Sequence, residues 1–176
     1  MTFFPGGKCE LEGQFEAAAN IQRLLETARD QAQTIVYVRH EFKEQDAPFA
    51  VEGTAGAEIH DMVKPLANEP VVIKSTSNIF LNNNLKQILD EEEVEQLVIC
   101  GSMSKDCIAA AAHATTELGY PITIIYDACA TRERGQMTRL HRGSLCRPRL
   151  WLHFPLSAAT LSQPKSIWSG PLWLNC

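Results

Sequence analysis

No stretch of this 176-residue chain approaches the roughly 20 consecutive apolar residues needed to cross a bilayer, and no basic segment followed by an apolar run opens it. Neither a membrane span nor a secretory leader is therefore read from the sequence, and the expectation is a soluble, cytoplasmic protein. Basic residues are in deficit, with 16 Lys and Arg against 21 Asp and Glu and a net charge of -5. Without a basic surplus to displace counterions from phosphates, nucleic acid is not an expected partner, and small molecules or proteins are. The six cysteines, Cys9, Cys100, Cys107, Cys129, Cys146 and Cys176, never fall in the close pairs of a zinc site or at the density of a disulfide scaffold. Free thiols are expected, with no metal. What the chain does have is 45% apolar residues, enough at this length for one sizeable core.

The apolar residues alternate between two periods. In "QFEAAANIQRLLETARD" (14–30), Phe15, Ala18, Ile21, Leu24, Leu25 and Ala28 recur at helical spacing on one stripe, predicting an amphipathic helix. "TIVYV" (34–38), "PVVIK" (70–74), "QLVIC" (96–100) and "ITIIY" (122–126) are short and β-branched, as strands covered on both faces would be. Helical patterns lie between the last three. One carries Leu85, Ile88 and Leu89; the other, "SKDCIAAAAHATTELG", ends in a glycine suited to a helix C-terminus. Such alternation predicts right-handed βαβ units, a three-layer α/β/α fold with a parallel sheet flanked by helices.

In sheets of this kind ligands gather at the carboxyl ends of the strands. Arg39 and His40 follow "TIVYV", Lys74 closes "PVVIK", "GSMSKDC" follows "QLVIC", and Asp127 follows "ITIIY". With Ser104 as N-cap, Cys107 falls in the first helical turn, where unpaired N–H groups and the helix dipole stabilise a thiolate and can hold an oxyanion. The alternative is that Cys107 is a small core residue, since free cysteines are among the most buried types. A lysine closing an apolar strand weighs toward function, because burying its charge is costly unless it is paired.

Taken in order, "FFPGGK", "IVYVRHEF", "GTAGAEIH", "VVIKSTSNIF", "LVICGSMSKDCIAAAAHATTELGY" and "TIIYDACATR" resemble the isochorismatase-like cysteine hydrolase superfamily over residues 3 to 132. The resemblance implies hydrolysis of a small amide or ureido compound through a cysteine nucleophile, without a cofactor, in a homo-oligomer. It places the nucleophile on Cys107, the triad lysine on Lys74, a backbone oxyanion donor on Met103, and substrate contacts on Arg39, Ser102 and Phe80. It also implies a non-proline cis peptide at Ser102–Met103.

The departures from that pattern set the remaining expectations. The family's first strand, which ends in the triad Asp, would precede "FFPGG", yet Met1 stands just before it. The expected sheet therefore lacks that strand, with two bare strand edges and marginal stability. Asp106 and Asp127 are the nearest acidic residues along the active edge, and neither matches the triad position. Lys105 stands where many members have His. His40, His60 and His113 are isolated and read as ordinary polar residues. Residues 1–132 thus form an incomplete hydrolase domain, and 133–176 an atypical tail rich in Arg, Pro, Ser and Trp. That composition fits translation in an altered frame or a lineage-specific tail, with residues 139–176 expected to be least ordered. Two functions stay open: an amidohydrolase impaired by loss of the Asp, or an inactive remnant or binding module with the same fold.

Overall fold

The computed structural model describes residues 2–132 and the backbone of 171–175. Helix α1 (Gln14–Asp30) leads into strand β1 (Val36–His40), and a 3₁₀ turn (Asp61–Val63) precedes β2 (Val71–Lys74). Then follow α2 (Leu85–Glu91), β3 (Leu97–Ser102), a π-helical turn (Ser104–Ile108) running into α3 (Ala109–Glu117), β4 (Ile122–Ala130) and β5 (Pro171–Asn175). The five strands form one sheet in the order β2-β1-β5-β3-β4, parallel at every pairing. The expected α/β architecture is the one observed.

Alternation along each strand sorts the core onto two faces. Val36 and Val38 of β1, Val72 of β2, and Leu97 and Ile99 of β3 meet Leu85 and Leu89 of α2 and Ile108 and Ala111 of the α3 segment. On the opposite face Tyr37 and Cys100 meet Ala18, Ile21, Leu25 and Ala28 of α1. Each Val, Leu or Ile among them contributes about 1.5–3 kcal/mol on full burial, so the two clusters hold α1 on one side of the sheet and α2 and α3 on the other. At its far end α1 is tied down by a two-pronged ion pair, Arg29 Nε and Nη2 to Glu69 at 2.8 and 2.9 Å. Burial works to raise the Glu69 pKa, but the Arg29 bonds and charge together with the Leu66 amide and the Tyr37 hydroxyl outweigh it and hold the carboxyl below its usual range.

Several expectations are corrected in detail. The buried stripe of α1 is rotated: Phe15 is 50% exposed while Gln14 is buried, because Gln14 Oε1 accepts the Ser102 hydroxyl at 2.8 Å. "PVVIK" is covered on one face only among the described residues. Val71 and Ile73 are exposed because β2 is an edge strand and α1 packs over β3 and β4. Strand β4 continues through a register irregularity to Ala130, so Asp127 lies inside the strand, where its carbonyl accepts from Asn20 of α1. Gly119 closes α3 as expected, with φ of +86° and hydrogen bonds from the Gly119 and Tyr120 amides back to the Thr116 and Thr115 carbonyls.

The largest correction is at the centre of the sheet. The inner edges of β1 and β3, expected to be bare, are both paired with β5: Tyr37 and Cys100 lie opposite Trp173, and Arg39 and Ser102 opposite Asn175. The segment "PLWLN" is short and apolar, which suits a strand with neighbours on both sides. The rest of the expected tail, 133–170 and Cys176, lies outside the described residues.

Candidate active site

The site assembles where β1, β2 and β3 end. His40 and Lys74 are register partners on neighbouring strands, so their side chains leave the sheet on the same face. Near its end β3 passes through Gly101, whose φ of +125° suits glycine alone, and the chain leaves it across a cis peptide at Ser102–Met103, as the resemblance implies. It then enters the π-helical turn that carries Cys107. Ser104 is not the side-chain cap it was expected to be. Met103 holds the N-cap position, its carbonyl accepting from the amides of Asp106 and Ile108, and the Ser104 hydroxyl donates to the Ala130 carbonyl.

Lys74 is 1% exposed and Cys107 6%. Lys74 Nζ lies 3.3 Å from Cys107 Sγ, 3.1 Å from His40 Nδ1 and 3.0 Å from the Thr76 carbonyl oxygen. A buried ammonium whose three protons all have acceptors is compensated for much of its lost hydration, and its charge beside the sulfur favours the thiolate. Neither the buried Cys100 nor the half-buried Cys129 has a cation acting on it. Burial pushes Cys100 well above its ordinary value and Cys129 up to about 11. Iodoacetamide at neutral pH is accordingly expected to label Cys107 at least about tenfold faster than Cys100 or Cys129; equal rates, read by peptide mass spectrometry, would count against a poised thiol.

Around Cys107, Phe3, Leu11, Ala17 and Ala130 form a small apolar cluster against which Cys9, Phe49 and Met103 pack. The N-terminal segment closes this side, held by hydrogen bonds from the Cys9 amide to the Thr2 carbonyl and the Leu11 amide to the Phe3 carbonyl, and by the Thr2 hydroxyl on the Gly56 carbonyl. Next to the cluster opens a cavity of about 370 Å³, lined by Cys9, Phe49, Met103, Lys105, Asp106 and Thr131 among others. Its size suits a small molecule.

The remaining candidates divide. Met103 lies at the cavity. The Ser102 hydroxyl is committed to Gln14, and Arg39 to ion pairs with Glu41 and Glu58, the latter at 3.1 Å. Phe80 packs against the core cluster on the α2 side. Asp106 lines the cavity, and Asp127 sits in β4 with its carbonyl on α1. His60 stacks on Phe4 with ring centroids 3.7 Å apart, and burial lowers its pKa despite Asp61. Among the described residues no His, Cys, Asp and Glu cluster has the arrangement of a metal site. His40 is the member that sequence reading missed: it is no isolated polar residue but a direct partner of Lys74. The available signal was its place at the end of β1, level with the lysine ending β2.

A model of the isochorismatase domain matches residues 2–146. The chain belongs to the isochorismatase family. An uncharacterized isochorismatase family protein of Bacillus subtilis, YddQ, is 40% identical over 129 residues, 73% of this chain and 72% of that protein. The crystal structure of a protein from Oleispira antarctica assigned to the isochorismatase hydrolases superposes with a TM-score of 0.71 at 40% identity, over 74% of this chain and 70% of that one. Streptothricin hydrolase of Streptomyces noursei is 36% identical over 121 residues, 66% of this chain but 42% of that protein. The family match runs past Arg132, where the resemblance of motifs fades. Among the described residues of this isochorismatase-family chain, no helix is long and apolar enough to cross a membrane.

Proposed function

We propose that this isochorismatase-family protein hydrolyses the C–N bond of a small amide or ureido compound, with Cys107 as nucleophile and Lys74 as its proton partner. The contact of Lys74 Nζ with Cys107 Sγ, 3.3 Å apart and both buried, carries the reading. In it the thiol proton passes to the Lys74 amine, giving thiolate and ammonium. The thiolate attacks the substrate carbonyl carbon, the C–S bond forms, and the π pair moves to oxygen, where the amides of Met103 and Cys107 receive it. Collapse re-forms the carbonyl and breaks the C–N bond, and the leaving nitrogen takes its proton from the Lys74 ammonium. Water then attacks the thioester and gives a proton to Lys74, so the acid departs and the thiolate is regenerated. The name of the streptothricin hydrolase relative supports hydrolysis, and the cavity lined by Met103, Lys105 and Asp106, next to the Cys107 cluster, supports a small substrate.

The second reading, a binding module without turnover, draws on one observation. The three acceptors around Lys74 are a ring nitrogen, a carbonyl and the sulfur, and none is a carboxylate that could serve as base. A panel of small amides and ureido compounds separates the two. Under the hydrolase reading the wild-type chain releases amine or ammonia from at least one compound, and Cys107→Ala lowers that rate at least about 10³-fold. Saturable binding by calorimetry with no release from any compound would favour the module instead.

A further inference from the structure

The proton cycle above begins with one corner of Lys74 Nζ facing the sulfur, and the surroundings of that nitrogen bear on how it is held there. Nζ is tetrahedral. One corner is its own Cε, and the other three point to Thr76 O, His40 Nδ1 and Cys107 Sγ. As an ammonium, Lys74 donates to all three. As an amine it keeps two N–H groups and one lone pair, and the thiol can give its proton only to the lone pair. If the carbonyl and the imidazole both keep their N–H, the lone pair has one direction left, toward Cys107. Without the imidazole acceptor, the amine can turn about Cε–Nζ and aim an N–H at the sulfur.

We propose that His40 is a positioning residue: by accepting from Lys74 through Nδ1 it fixes the proton-transferring corner of Nζ on Cys107. This role rests on the thiol–lysine reading of the site and deepens it. His40 is suited to the task. It is 6% exposed, is placed level with Lys74 by the β1–β2 register, and is braced by the Phe42 ring at 4.3 Å and the Phe49 ring at 6.1 Å. Accepting at Nδ1 requires a neutral ring with its proton on Nε2, and among the described residues Nε2 is buried without a hydrogen-bond partner. No network beyond the ring competes for the tautomer within that region.

Three measurements test it. In wild-type protein, a long-range ¹H–¹⁵N spectrum at neutral pH is expected to show His40 with Nδ1 bare and Nε2 protonated; a proton on Nδ1 overturns the proposal without any variant. His40→Asn places an amide oxygen near the Nδ1 position, and His40→Phe keeps the ring and removes the acceptor. Losing one hydrogen bond to a charged group corresponds to about tenfold in rate, so Cys107 alkylation by iodoacetamide is expected to fall about tenfold in His40→Phe and to stay within about threefold of wild type in His40→Asn. Alkylation of Cys9, read in the same digest, is expected not to change in either. Equal loss in both variants, or no loss in a folded His40→Phe, overturns the positioning role. These readouts do not depend on turnover, so failure of the amide panel would sink the hydrolase reading and leave this one standing.

Discussion

Methionine in place of Lys74 is expected to cut turnover of a cleavable amide about 10²–10⁴-fold, the usual contribution of a positioned acid–base group, while leaving the chain folded. The loss in rate follows from the geometry. Methionine has the length of the lysine stem but neither accepts the thiol proton nor returns one to the leaving nitrogen. The persistence of the fold follows from two opposed effects. Removing the donor leaves His40 Nδ1 and the Thr76 carbonyl unsatisfied, at about 1–3 kcal/mol each, and removing the buried charge relieves a desolvation penalty of several kcal/mol. The two are of similar size, so urea unfolding is expected to stay within about 2 kcal/mol of wild type. A variant that folds and turns over at the wild-type rate would remove Lys74 from the chemistry.

Proline in place of Trp173 is expected to abolish the cooperative thermal transition. Trp173 stands mid-strand in β5, opposite Tyr37 on one side and Cys100 on the other. Proline there removes a ladder donor and brings a ring against the neighbouring backbone, which central strands do not accommodate. Among the described residues β1 with β2, and β3 with β4, are joined in the sheet only through β5, so the lesion divides the sheet rather than trimming its edge. Two core clusters then lose their common floor, a loss comparable to the whole stability of about 5–15 kcal/mol expected for a domain. Circular dichroism melts of the two proteins decide it: a sharp transition retained in Trp173→Pro would show that the sheet does not depend on Pro171–Asn175.

The sequence disclosed the elements whose signal is local. The stripe of α1, the apolar strand runs and the glycine closing α3 each depend on spacing within one segment, and each is found within a few residues of where it was read. Lys74 and Cys107 were also legible, because a charged residue closing an apolar strand and a cysteine opening a helix are unusual where they stand. His40 was not, since its role comes from the β1–β2 register, which sets it level with Lys74 across a sequence gap of 34. The exchange of Phe15 for Gln14 on the buried face was hidden for the same reason: Ser102, the partner that admits Gln14, is 88 residues away. β5 was the least visible. Five residues, four of them apolar, carry no period of their own, and what makes them a strand is the pair of edges they meet.

That central strand also has a consequence for the order in which the chain can fold. Pro171–Asn175 follows in sequence every strand it joins, yet it lies between them. During synthesis the β1–β2 and β3–β4 pairs can form early, each with its own helices, but the sheet cannot close until the segment that bridges them has left the ribosome. The closing contacts span most of the chain, and such distant pairings must pay their loop entropy before any ladder bond repays it. Among the described strands, the β1–β2 and β3–β4 pairs therefore wait for β5 before they are joined. In this interval the molecule is most open to pairing with the wrong partner, and the interval is set by the rate of translation rather than by the stability of the finished fold.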